Sequence, residues 1–485
     1  MTDDPLYLVL DQGSHASKAL LVDARGEVAA AAEVAITTRR PQAGWVEHDP
    51  EEIVASLHAA IGEALAQAGA SAVARLAGAG LATQRSSIVC WDRETGRPLS
   101  PVLSWQDRRH AAWLDAQALD PAELRAVTGL VASAHYGASK LRWCLDHLPE
   151  VSAAQAAGGL CCGPLASFVL HRLLEERPCL ADPANAARTL LFDLHAGDWS
   201  EALLGQFGIP RTCLPRCVPS RHPFGVLLVG GHRVPLTVVT GDQPAALFAW
   251  GEPDAATLFV NIGTGAFVQR VFRGAAPAVP GLLEGIAWQD AQRRVSVLEG
   301  TVNGAGAALQ WLADERGLEL ESLLRDAPGW LEDVADPPLF LNCVGGLGSP
   351  YWDPGCPTGF SSKADIAGET VAVIESIAFL LAVNIEASCA TGGPGPVRIL
   401  ATGGLARLDE LCQRLADLSG LVVERPGALE ATAHGLAWLL SGVVPERLLP
   451  ARFSPRHSPA LAGRYLRCRA MFERAASSGP ARASR

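Results

Sequence analysis

Leu6 to Leu10 is a short apolar run rich in strand formers, and a polar turn containing Gly13 separates it from a second apolar run, Ala19 to Val22. Run, turn, run predicts a β-hairpin, with the glycine supplying a permissive backbone. The same plan recurs at Thr257 to Val260, Asn261 to Gly265 and Ala266 to Val271. Between the two hairpins, Ile53 to Gly69 reads as a helix, and Ala77 to Ala82 and Val234 to Thr240 read as strands. Two hairpins of one design, each near the start of one half of the chain, predict a duplicated architecture: two related α/β domains facing each other across a cleft. The boundary falls at Trp250 to Ala255, which carries Gly251 and Pro253, giving domains 1–250 and 251–445. Residues 446–485 are expected to be a partly disordered C-terminal extension, because Ser454 to Arg485 is basic and poor in apolar residues. The longest apolar region, Val371 to Cys389, is interrupted by Glu375, Asn384 and Glu386 at near-helical spacing, so it predicts a core helix and not a membrane span.

Composition narrows the function. The 485 residues are 49% hydrophobic and 19% charged, enough for two packed cores. A net charge of −11, with no Lys/Arg-rich run outside the tail, argues against nucleic acid as a partner. Twelve cysteines without CxxC pairs read as free, mostly buried thiols in a reducing compartment. The N-terminus, MTDDPLYLVLD, lacks a basic segment followed by an apolar stretch, and the expected location is cytoplasmic.

Four segments carry candidate chemistry. Asp11-Gln12-Gly13-Ser14-His15-Ala16-Ser17-Lys18 is either an ordinary hairpin turn or an anion-binding nest, with Ser14 and Ser17 adding hydroxyls, Lys18 a cation, and Asp11 a carboxylate for Mg²⁺. Gly241-Asp242-Gln243-Pro244 places an acid at a strand end ahead of a helix, where Asp242 serves as a catalytic base or as a helix cap. The second hairpin turn offers Thr264 and neighbouring amides to a γ-phosphate. Thr402-Gly403-Gly404 follows a strand-like run, Val397 to Ala401, and is either a plain tight connection or a place where glycines allow close approach to a flat ligand. Metal, phosphate donors and a carboxylate are the parts that phosphoryl transfer to an alcohol requires.

With these motifs stand GWVEHDPEEI (Gly44 to Ile53), WDRETGRPL (Trp91 to Leu99), SWQDRR (Ser104 to Arg109), SKLRWCLDH (Ser139 to His147), NAARTLLFD (Asn185 to Asp193), GDQPAALF, LEGTVNGAGAALQWL (Leu298 to Leu312) and GLGSPYWDP (Gly346 to Pro354). In this order they resemble the FGGY carbohydrate kinases, and among them the glycerol kinases, over about Leu6 to Gly442. The resemblance implies an α/β fold of two actin-like, ribonuclease-H-like ATPase domains flanking a catalytic cleft. It also implies ATP and Mg²⁺, a small polyol or sugar as acceptor, and a homodimer. By resemblance Asp242 is the catalytic base and, with Asp11, brackets the metal. Ser14, His15, Ser17, Lys18, Gly263, Thr264, Gly306, Gln310, Gly403 and Gly404 line the nucleotide site. Arg85, Ser86, Trp105, His135, Asp242 and Gln243 line the acceptor site.

The acceptor side departs from the glycerol pattern, since Ser86 stands where glycerol kinases carry Glu and His135 where they carry Tyr. Arg85 is therefore expected to leave a positive charge facing the acceptor, which suits a tetritol, a pentulose or a sugar acid better than glycerol. On the nucleotide side Leu408 replaces the Asn near adenine, and His15 replaces a Thr.

Overall fold

A computed structural model describes residues 4–69, 71–391, 393–427, 430–444 and 449–478. The first hairpin forms as expected: strand Leu6–Gln12 pairs antiparallel with Ala16–Asp23, placing Asp11 opposite Lys18 and Gln12 opposite Ser17. It lies in a six-stranded sheet ordered Arg221–Val229, His232–Gly241, Leu76–Thr83, Leu6–Gln12, Ala16–Asp23, Val28–Ala35. The second hairpin, Thr257–Ile262 with Ala266–Arg273, lies in a seven-stranded sheet. In each sheet the hairpin is extended antiparallel on one side, by Val28–Ala35 or Arg294–Val302. On the other side it is extended parallel, by Leu76–Thr83 or Arg398–Thr402. The duplication read from the two hairpins thus extends through both sheets.

Strand Leu6–Gln12 is buried on both faces, which is why its sequence runs apolar without alternation. Leu6, Leu8 and Leu10 share a core with Ile53, Leu57 and Ile61 of helix Pro50–Ala68. That helix starts cleanly because the Asp49 carboxylate accepts the Glu51 N–H and Pro50 occupies the first turn. Val9, on the opposite face, packs with Ala433, Leu436 and Ala437 of helix Ala431–Ser441. This helix comes from the second half of the chain and crosses helix Asp242–Leu247, where a Cβ added to Gly435 would lie 1.8 Å from the Ala245 carbonyl oxygen. Helix–helix contact here is backbone against backbone.

Helix Ile366–Cys389 has the length and apolarity of a membrane span, yet it is the central core helix of the second lobe. Two expectations are corrected around it. The stretch expected as a solvated tail forms helix Pro459–Ser478, with Leu461, Tyr465, Cys468 and Phe472 in the second core and Arg464 held bidentately by the buried Glu375 at 2.7 Å. Its basic residues sit between apolar positions at helical spacing, so the polar count concealed an amphipathic element. Secondly, the cysteines are not all free: Cys343 and Cys356 form a disulfide, while the other ten are thiols.

Candidate active site

A cleft of about 1690 Å³ opens between the lobes at the C-terminal ends of the hairpin strands. It gathers Ser14, Arg85, Ser86, Trp105, His135, Asp242, Gln243, Gly263 and Thr264. Gly241 ends a strand and positions Asp242 on the first turn of the following helix; a Cβ there would lie 2.5 Å from Arg85 Cγ and Cδ. The glycine therefore lets Arg85 lie directly against the strand end, where its guanidinium donates to Gln243 Oε1. The Gln243 backbone N–H donates to Asp242 Oδ1 at 2.7 Å. Burial raises the Asp242 carboxyl above the usual carboxylate range, and Arg85 pulls it back down.

The first wall is made of side chains held by other side chains. Trp105 Nε1 donates to Ser14 Oγ at 2.9 Å, and Ser14 Oγ donates to Gln84 Oε1 at 3.2 Å, which ties the first hairpin turn to the acceptor pocket. His135 sits edge-on to Trp105 with ring centroids 5.5 Å apart. Burial, then Lys140 and three arginines, pushes its imidazole well below its ordinary pKa, so the ring is neutral. Ser86 adopts a left-handed backbone (φ 62°), and its buried hydroxyl has no hydrogen-bond partner among the described residues.

Sequence reasoning passed over three residues that hold this wall. Lys140 is buried, and its three N–H groups meet three carbonyls: Ser86 at 3.0 Å, Ser104 at 2.7 Å and His135 at 2.8 Å. Arg188 and Glu299, also buried, pair at 2.7 Å beside Arg85. Glu299 lies 3.7 Å from Arg85 and corrects the expectation of an unpartnered positive charge there. All three lie inside motifs already quoted, but their partners are distant in sequence, 111 positions for Arg188 and Glu299.

The second-lobe hairpin turn is seated by backbone contacts. The Gly306 N–H donates to the Gly263 carbonyl at 2.9 Å and the Ala307 N–H to the Thr264 carbonyl at 2.9 Å, seating helix Gly306–Arg316 on the hairpin turn. Gly403 has φ 93°, and a Cβ there would lie 2.5 Å from the Ile262 carbonyl oxygen. Gly404 has open space around its α-carbon. Gln310 is exposed and donates to Asp314 Oδ1. Leu408 packs on the second core.

Eight candidates do not line the cleft: Asp11, His15, Ser17, Lys18, Gly306, Gln310, Gly403 and Gly404. Ser17 is a correction. It is fully buried and accepts from the Ser56 hydroxyl at 2.8 Å, because strand alternation turns it to the face opposite Lys18. His15 is exposed on the turn. Lys18 pairs with Glu430 at 2.7 Å and Glu33 at 3.4 Å; burial opposes its charge, and Glu430 more than restores it. Burial, followed by the charge of Asp242, pushes Asp11 up to about 7. Asp11 and Asp242 are buried carboxylates of raised proton affinity, and carboxylate oxygens of this kind fit a hard divalent cation.

Comparison with known proteins agrees with this geometry. The N-terminal domain of the FGGY family of carbohydrate kinases matches residues 6–249, and its C-terminal domain matches residues 258–441. A glycerol kinase of Aromatoleum aromaticum is 39% identical over 447 residues, covering 89% of this chain and 88% of its own. One from Thermus brockianus is 39% identical over 445 residues, covering 89% and 88%. Among solved structures, Plasmodium falciparum glycerol kinase with ADP superposes with a TM-score of 0.87 at 21% identity, covering 98% of each chain. A xylulose kinase from Rhodospirillum rubrum superposes with a TM-score of 0.82 at 21% identity, covering 97% of this chain and 98% of that one. At those identities the structures speak for the fold: two actin-like, ribonuclease-H-like lobes.

Proposed function

The chain belongs to the FGGY family of carbohydrate kinases, phosphotransferases with an alcohol group as acceptor, and from that premise we propose that Asp242 is the general base for transfer of the ATP γ-phosphoryl group to a primary hydroxyl of a small polyol or sugar. The observation that carries this reading is the carboxylate of Asp242 on the cleft floor, beside Arg85 and Gln243 and opposite the Gly263–Gly265 turn. Its raised proton affinity suits a base that must accept a hydroxyl proton near neutral pH. The acceptor oxygen attacks phosphorus, the bond between phosphorus and the bridging oxygen of ADP breaks, and the hydroxyl proton passes to Asp242. Asp11 and Asp242 would hold Mg²⁺ together with the phosphates, and the ion would neutralise charge on the transferring group. The glycine-rich second wall admits the phosphates to backbone amides, and Arg85, Gln243, Trp105 and His135 orient the acceptor. Closure of the lobes excludes water, which would otherwise compete for the phosphoryl group.

The acceptor pocket supports a neutral ligand over an acidic one. Arg85 and Arg188 are offset by Glu299 and Asp242, and His135 carries no charge. Ser86 lines the cleft, and its unpaired hydroxyl, buried as the side chain stands, would bond a hydroxyl of an acceptor longer than glycerol after turning toward the cleft. The decisive experiment measures ADP release with glycerol, erythritol, xylulose and gluconate as acceptors. Erythritol or xylulose should outperform glycerol, with gluconate poorest; turnover of glycerol alone would sink this acceptor assignment. An Asp242→Asn variant should lose acceptor-dependent turnover by about 10³-fold or more while still binding ADP, and undiminished turnover would end the mechanism.

A further inference from the structure

The cleft floor contains a charged cluster drawn from both lobes that the proton transfer does not use. Glu299 belongs to strand Arg294–Val302 of the second lobe, whereas Arg85 and Arg188 belong to the first. Arg188 Nη2 donates to one Glu299 oxygen at 2.7 Å, and Gln269 Nε2 donates to the other at 2.8 Å. Arg85 Nη2 lies 3.7 Å from that second oxygen while donating to Gln243, the neighbour of Asp242. All three ionic groups are buried, none more than 8% exposed. Two guanidinium groups this close repel unless a carboxylate stands between them, and in a buried site that requirement is severe.

We propose that Glu299 is a positioning residue for the acceptor: supplied by the second lobe, it fixes Arg85 against the acceptor pocket, so the pocket is complete only when the two lobes meet. The inference rests on the reading of Arg85 as an acceptor ligand. Acceptor bound to Arg85 then has differential affinity for the state in which Glu299 is engaged, which is the condition for a ligand to favour that state. Nucleotide, held on the opposite wall by glycine backbone, makes no such demand.

The test is steady-state kinetics of the full chain with glycerol and erythritol as acceptor probes, alongside calorimetric titration with ADP. Glu299→Gln keeps the shape and removes the charge; it should raise acceptor KM about tenfold or more and leave ATP KM and ADP affinity within about twofold. Glu299→Asp keeps the charge, guards against a folding defect, and should raise acceptor KM by less. Arg85→Gln should raise acceptor KM on its own, with little added by a second change at Glu299. Equal rises in both KM values, or a lowered melting temperature with both KM values unchanged, would overturn the inference. If Arg85→Gln leaves acceptor KM unchanged, the acceptor-pocket reading itself falls; an Arg85 effect without a Glu299 effect removes only the proposal made here.

Discussion

The first-lobe wall of the cleft and the second-lobe hairpin turn facing it are held together differently. The first-lobe wall is a mesh of side chains: Lys140 on three carbonyls, Trp105 on Ser14, Arg85 on Gln243 and Glu299. The second-lobe hairpin turn, which lines the cleft at Gly263, Thr264 and Gly265, is held by backbone: the Gly306 and Ala307 N–H groups donate to its carbonyls, while Gly306, Gln310, Gly403 and Gly404 lie outside the cleft lining. A polyol presents hydroxyls whose number and spacing differ between acceptors, and only fixed side chains discriminate among them. A triphosphate is one ligand with many equivalent oxygens, and amides able to approach closely suffice. The proposed division is between side chains for the acceptor and backbone amides for the phosphates.

That contrast can be broken by experiment. Lys140→Met should be the most damaging change, leaving three buried carbonyls without donors at a stability cost of roughly 3–5 kcal/mol, read by denaturant unfolding. A loss below about 1 kcal/mol would mean that the mesh is not what holds the first wall. Asp11→Asn comes next and depends on pH. With its folded pKa raised from 3.8 to about 7, Asp11 keeps a proton that the unfolded chain releases, so stability falls as pH rises from about 4 to 7. Removing the charge should therefore stabilise the metal-free protein by roughly 2–4 kcal/mol at pH 8 and progressively less toward pH 4, while turnover is lost. A pH-independent difference would contradict the raised proton affinity that burial, and then Asp242, gives Asp11. The smallest effect is expected for Gly403→Ala, whose methyl would press on the Ile262 carbonyl. It should cost roughly 1–3 kcal/mol and raise ATP KM with acceptor KM unchanged, sharpening the division between the walls.

What was legible in the sequence was local. Both hairpins, the acid after Gly241 and the Gly263–Gly265 turn each sit within a few residues of the element that positions them, so pattern and turn chemistry reveal them. What was not legible depends on contacts between distant segments. Lys140, Arg188 and Glu299 stand in recognised motifs but acquire their roles only when 86, 104, 135, 188 and 299 meet. The Cys343–Cys356 bond joins residues 13 positions apart with no spacing signature. Ser17 was a different kind of miss: the period-two rule, applied to Lys18 as a cleft residue, already turns Ser17 away. The last helix was missed because charge was counted without its periodicity.

The crossing of helices Asp242–Leu247 and Ala431–Ser441 limits how this chain can vary. With no side-chain layer between them at Gly435, the helix that begins with Asp242 is seated directly on the far end of the polypeptide. Nineteen of the twenty amino acids carry a carbon at the forbidden point, so a saturation library at 435, selected for turnover, should return glycine and nothing else.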